Sequence, residues 1–308
     1  VTREQYQYGR PTKAIAKALI ARMHLYAASP LFNGNTALYS NFKNKDGEQL
    51  ISQQYSKEKW KKALDATTLA IQYAKEAGIK LYQSKLTSGT DKEKAIDANR
   101  YVMTEPWNEE LIFGYSNDRE DLGGNSFQRH VIPRGTGSTT MYGAMSISLD
   151  VIKLFFTEDG LPIEKDPDYD MNEIYKVVPG QNTIYLNTKR EPRFYAWVGY
   201  DGGVYPCNNF MTLKLKCGET HGADLKDGKP DFGRDQIYSG YAIAKGVNPA
   251  AIANSTQNSI IAYPFPIIRL SELYLAYAEA YVEYHGKLEG DALTYVNEIR
   301  TRAGIPNI

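Results

Sequence analysis

The sequence predicts a mainly α protein, with tetratricopeptide-like helix pairs at both ends, a loop-rich middle region and a few short strands. Apolar residues recur at helical spacing from Thr12 to Ala28 and from Trp60 to Ala74. They do so again from Ile268 to Tyr284 and from Asp291 to Arg302. Between the two pairs, residues 116–143 and 218–236 are polar, glycine-bearing and without a period.

In the first helix, Ile15, Leu19, Met23 and Tyr26 share one face, and Ala14, Ala18, Ala21 and Leu25 a second. A helix apolar on two sides is expected between neighbours. Ser29-Pro30 ends it, because proline cannot continue a helix. Residues 33–54 read as a loop, and Ser56 is placed to cap the next helix. There Trp60, Ala63, Leu64, Thr67, Ile71 and Ala74 form one stripe, and Gly78 sits where a left-handed C-cap belongs. Helix, loop, helix with these offsets is a loose tetratricopeptide match, because the loop is long for that repeat. A short helix is expected over Asp91–Val102, a strand over Glu110–Tyr115 and a helix over Ser148–Phe156. Phe194–Gly199 and Phe210–Lys216 have strand character. In the last pair, Leu270, Leu273, Tyr274, Tyr277, Tyr281 and Tyr284 share a face, and Ala292, Val296, Ile299 and Ala303 point inward. Gly304 and Pro306 end it. The two pairs are expected to pack together as one domain across residues 1–308, since each alone leaves an apolar face wet.

Lys plus Arg equals Asp plus Glu, 36 of each. A neutral chain has no basic footprint, which argues against nucleic acid as a partner. No apolar run reaches the roughly 18 residues that span a bilayer. Cys207 and Cys217 fit no zinc spacing; they read as two unpaired thiols or as a disulfide across a hairpin. Tyr outnumbers Phe by 24 to 10. A buried tyrosine needs a partner for its hydroxyl, so the excess suggests half-exposed rings suited to sugars or peptides.

No catalytic signature is present. Gly135-Thr136-Gly137-Ser138 is not a nucleophile elbow, there is no H-E-x-x-H, and His24, His130, His221 and His285 are scattered. Asp166, Asp168 and Asp170 alternate like the start of a calcium loop, but Met171 stands where the turn glycine belongs and Val177 where the last Glu belongs. The reading is a binder, not an enzyme, with no cofactor and no metal; the less favoured alternative is a glycoside hydrolase, since any folded chain can bring two carboxylates to the distance that reaction needs. A sugar is held by stacking on a ring while polar side chains take its hydroxyls. Residues 116–143 supply such a set: Asn117, Asp118, Arg119, Asn125, Phe127, Arg129, His130, Arg134 and Tyr142, with Tyr115 flanking. The alternative for this stretch is a solvated loop or one facing a partner protein. A second group is Trp197, Tyr200, Tyr205 and Asn208, and a weaker third is Tyr238 with Tyr241.

Six segments, in order, resemble the SusD/RagB family of outer-membrane nutrient-binding lipoproteins. They are YGRPTKAIAKALIARMHLYAASPLFNG (Tyr8–Gly34), the helix from Trp60 to Ala77, NEELIFG (Asn108–Gly114), LFFTEDGLPI (Leu154–Ile163), REPRFYAWVGYDG (Arg190–Gly202), and YPFPIIRLSELYLAYAEAYVEY with VNEIRTRAG (Tyr263–Tyr284, Val296–Gly304). The resemblance implies a SusD-like fold and an outward-facing lipoprotein of the outer membrane. It implies an oligosaccharide ligand, or a peptide in a RagB-like member, and a SusC-like TonB-dependent transporter as partner. It also implies ligand contacts after the strand at 110–115. Against that pattern the chain reads as a fragment, without the anchor region and a C-terminal region.

Overall fold

The structure, a computed structural model, describes residues 8–115, 127–138, 140–222, 224–227, 229–231 and 235–308. Helix α1 spans Lys13–Ala28, capped by the Thr12 hydroxyl, which accepts from the Ile15 amide at 3.2 Å. Helix α2 is a single turn, Thr36–Tyr39, inside the expected loop, and α3 spans Glu58–Glu76. Ala14, Ala18 and Ala21 lie at the α1–α3 contact, where small side chains let the helices approach closely. The predicted α3 stripe is buried throughout, from Trp60 to Ala74. The Ile15 face of α1 is covered only at Ile15: Leu19, Met23 and Tyr26 are exposed, so the expectation of packing on both sides holds mainly for the alanine face.

Ser56 does not cap α3. Its amide and carbonyl are both bound by the Asn33 side chain, at 2.9 and 3.0 Å, and Lys57 takes the N-cap position with no side-chain bond. Asn33 also donates to the Ala28 carbonyl. The next residue, Gly34, has φ +83°, and a Cβ there would lie 2.5 Å from the Tyr55 amide nitrogen. The Asn-Gly of the ASPLFNG segment is therefore a clasp that returns the chain to α3. Gly34→Ala should cost about 2 kcal/mol, from the left-handed backbone and the backbone clash together. A denaturant titration reads this as a lower midpoint at an unchanged slope.

Helix α4, Asp91–Thr104, opens with a capping box of Thr90 and Glu93. Strand β1 is Leu111–Tyr115. After it come two short helices, α5 (Phe127–Val131) and α6 (Leu149–Leu154), the second capped by Ser148. Helix α7, Pro192–Trp197, replaces the expected strand over Phe194–Gly199; only β2, Val198–Gly199, is extended. Proline at the first helical position presets the backbone dihedral for a helix, which outweighed the apparent alternation. The hairpin β3 (Asp224–Lys226) and β4 (Lys229–Asp231) lies within the expected loop 218–236. Strand β5 (Ala242–Ile243) pairs with β2, and β6 (Ile252–Ala253) with β7 (Asn258–Ser259). Phe210–Lys216 forms no strand, only a bridge between Val204 and Thr212, after positive φ angles at Asn208, Asn209 and Phe210.

Strand β8, Phe265–Arg269, pairs antiparallel with β1 and continues without a break into α8, Leu270–His285. The helix therefore starts two residues after Ile268, which is buried in the strand. Helix α9, Gly290–Ala303, folds back on α8, with Tyr274 and Tyr295 stacked at 4.2 Å. One core joins α1, α3, β1, β8 and α8, so the two helix pairs do pack together. Two further cores fill the middle, one around Tyr205, Leu213 and Ala242, the other around Ile152, Leu186 and Phe194.

Two buried charges tie these parts. The Glu110 side chain, fully buried, accepts from Arg269 at 2.9 Å, Arg302 at 2.7 Å and the Tyr82 amide at 3.0 Å. Burial pushes its carboxyl up, but Arg302 and Arg269 outweigh that and hold it below the usual carboxylate range. Arg190, also fully buried, donates to the carbonyls of Ile152, Phe155, Phe156 and Leu186.

Candidate functional site

A groove of about 620 Å3 runs along α8 and across the end of the β1–β8 ribbon. Lys245 lies beside Arg269 at the start of α8, and Glu279 lies further along the same helix, about 15 Å away by helical rise. Phe127, Phe265, Pro266, Glu272 and Leu275 also line the groove. Tyr115 and Phe265 are register partners across the ribbon, so their side chains share one of its faces, and Phe265 lines the groove. Their exposures are 54% and 47%, large for aromatic rings.

Local chemistry fixes these groups. Gly246 has φ +83°, and a Cβ there would lie 3.0 Å from both the Phe127 ring and the Tyr263 hydroxyl. Glycine thus lets Phe127 lie against the turn that carries Lys245. The Tyr263 hydroxyl donates to the Gly246 carbonyl and pins that turn. The Lys245 amide donates to the Trp197 carbonyl, and its ammonium lies 4.4 Å from the Trp197 ring centroid. Trp197 is itself held by its indole N–H, which donates to the Asn99 carbonyl at 2.9 Å. Burial holds the Lys245 amine below its usual range, and Arg269 and Arg193 add to this. Glu272 is gripped by both nitrogens of the Arg22 fork at 2.7 Å. Burial, with Glu283 nearby, raises the Glu279 carboxyl.

The structure divides the candidates drawn from sequence. Phe127 lines the groove, Tyr115 stands beside the groove residue Phe265 across the ribbon, and Trp197 lies beneath Lys245. Arg129, His130 and Tyr142 form a separate cluster. The His130 and Tyr142 rings lie 5.2 Å apart, and Arg129 donates to the Thr140 hydroxyl at 2.9 Å. Arg134 is exposed nearby in sequence. Tyr200 packs on Phe194 and Tyr195. Tyr205 is removed from the set: it is fully buried, and its hydroxyl donates to the carbonyls of Val131 and Ile243. Asn208 is used up on the amide and carbonyl of Ala253. Tyr241 is buried and bonded to Asn187, whereas Tyr238 is exposed. Asn117, Asp118, Arg119 and Asn125 lie outside the described residues.

Sequence reasoning missed Phe265, Lys245 and Glu272. The one available signal was Phe265-Pro266 ahead of the last helix pair, where proline marks an edge strand. Among the described residues, no group of three His, Cys, Asp or Glu is placed to hold a metal. Asp166 and Asp170 instead accept from the amides of Asp168 and Asn172 in tight turns. Cys207 and Cys217 are not bonded to each other. Cys207 is buried, which pushes its thiol up to about 11, and Cys217 is exposed.

Residues 109–308 match the family profile described as the SusD family. The chain belongs to the SusD family. Two solved structures of BT4246, one of them the selenomethionine form, superpose with TM-scores of 0.82 and 0.81 at 28% and 29% identity. They cover 100% and 98% of this chain and 56% and 57% of their own. A SusD-like protein (BF3747) from Bacteroides fragilis NCTC 9343 gives 0.68 at 19% identity, over 100% of this chain and 50% of its own, which speaks to fold alone. The chain thus spans just over half the length of the BT4246 structures. None of the curated proteins matches it. The SusD-like, mainly α fold read from the sequence is therefore the fold observed. Within the SusD match fall β1, β8, α8 and most of the groove; Leu25 and Met103 line it from outside the matched span.

Proposed function

We propose that this SusD family member binds an oligosaccharide in the α8 groove, at the outer face of the outer membrane. It would pass the sugar to a SusC-like TonB-dependent transporter. A lipid anchor outside this chain would hold it at that surface. The observation carrying the reading is the exposed Tyr115–Phe265 pair, of which Phe265 lines a groove with apolar walls and few polar groups. Such a surface offers ring faces for stacking and the part-exposed Arg269 and Glu272 side chains for hydroxyls. The reading is of a binder and not a hydrolase, since glycoside hydrolysis needs two carboxylates free to act and Arg22 occupies Glu272. No described helix is long and apolar enough to cross a membrane.

Calorimetry against a panel of oligosaccharides and a panel of peptides separates a sugar binder from a RagB-like peptide binder. For the sugar that binds, Phe265→Ala and Tyr115→Ala should each weaken affinity by about tenfold, the usual loss for an aromatic anchor. Loss in Tyr142→Ala with none in Phe265→Ala would move the site to the His130–Tyr142 cluster.

A further inference from the structure

We propose that the groove is selective for an acidic sugar, whose carboxylate or sulfate is bound by Lys245; this rests on the oligosaccharide reading above. The argument starts from the groove's charges. Arg22 is paired with Glu272, and Arg269 with Glu110. Two charges have no ion-pair partner among the described residues: Lys245 at one end and Glu279 at the other. They are not equivalent. Lys245 sits beside cations, Arg269 and Arg193, the second of which is turned to Glu191. At that end Arg269 and Arg193 have Glu110 and Glu191 as counter-ions, and Lys245 alone has none among the described residues. Glu279 has Glu283 beside it, so the opposite end is negative.

The Lys245 ammonium is positioned. Trp197 lies under it at 4.4 Å, Trp197 is anchored to Asn99, and the turn is pinned by Tyr263. A ring face takes one side of an ammonium and leaves its other N–H groups to point away. Phe127 and Phe265 line the same groove, so a sugar ring stacked there would bring an acidic substituent toward the amine. An anion would gain a charge-assisted hydrogen bond from an exposed amine fixed in place by the Trp197 ring, whereas a neutral sugar would leave the amine without its counter-charge. The negative Glu279 end sets a direction: the acidic unit lies at the Lys245 end, and a second one near Glu279 is disfavoured.

The test pairs each uronic-acid oligosaccharide of a panel with its carboxyl-reduced form, and each sulfated one with its desulfated form. The wild-type protein should bind at least one acidic member about tenfold or more tighter than its neutral counterpart. That gap should close in Lys245→Met, which keeps the aliphatic stem, and persist in Lys245→Arg. An unchanged melting temperature shows that both variants fold. The two arms tell a carboxylate from a sulfate. Neutral forms binding as well as the acidic ones, or a gap that survives in Lys245→Met, would overturn the inference and leave oligosaccharide binding standing. No binding of either form, across the acidic and neutral panels alike, would overturn both.

Discussion

Glu110→Gln is expected to destabilise the protein by about 3–5 kcal/mol, the usual result of removing one side of a buried ion pair. The carboxylate has no exposed surface and serves two guanidinium groups, Arg269 from the end of β8 and Arg302 from α9, together with the Tyr82 amide. The glutamine would keep the shape but turn an amide N–H toward at least one of these donors, leaving two cations without a counter-charge. Replacing Arg302 by Met in the same chain removes one stranded cation, so the double variant should lose less than the sum of the singles. Chemical denaturation of the four proteins measures this coupling. The charge also sets a pH dependence. The Glu110 pKa is depressed in the fold, so its contribution is complete above the ordinary value of 4.5 and fades as pH falls through the lower, folded value. Wild type should therefore lose stability on acidification more steeply than Glu110→Gln.

The second large effect falls on the middle of the chain. Arg190→Leu should abolish cooperative unfolding of the cores built around Ile152, Leu186 and Phe194. Arg190 gives every arm of its fork to a main-chain carbonyl: Nε to Phe156, Nη1 to Leu186, and Nη2 to both Ile152 and Phe155. Two of these carbonyls close the C-terminal end of α6, where a cation is also favoured by the helix dipole. The guanidinium plane lies 4.8 Å from the Phe194 ring centroid. The Phe156 and Leu186 carbonyls keep the Glu191 amide and the Tyr169 hydroxyl, so leucine would strand up to two acceptors, Ile152 and Phe155, in a dry core at about 1–3 kcal/mol each, a large share of a domain's whole stability of about 5–15 kcal/mol. Arg190→Lys keeps the charge but offers a single point donor in place of a fork, and should cost about 2–3 kcal/mol. A lysine variant as stable as wild type would show that the charge, and not the fork, matters. Near-ultraviolet circular dichroism during melting follows the surrounding tyrosines directly.

The long helices were legible because their signals are local. Thr12 caps α1, Gly78 and Gly304 stop α3 and α9, and the α3 stripe is buried from Trp60 to Ala74. The middle was less legible because its elements are too short to show a period: Phe194, Ala196 and Val198 imitate a strand while six residues from Pro192 form a helix. The tyrosine excess was partly misread for a similar reason. Tyr169, Tyr205 and Tyr263 do not wait for a sugar; their hydroxyls donate to carbonyls left unpaired by irregular backbone. In a loop-rich core a tyrosine does what phenylalanine cannot. The groove was only half legible, since Phe127, Lys245 and the β8–α8 stretch that carries Phe265 and Glu279 are three distant segments and no spacing announces them.

The shared core of the outer helix pairs has a kinetic side. α1 and α3 meet each other early, but the apolar surface they present to α8 stays bare until Leu270 and the residues after it have been made. Those contacts are of high sequence separation, so loop closure comes before their reward and folding is slow at that step. During synthesis the first hairpin is therefore a sticky, half-finished surface for as long as the intervening chain takes to emerge, and the last hairpin is the piece that ends its exposure.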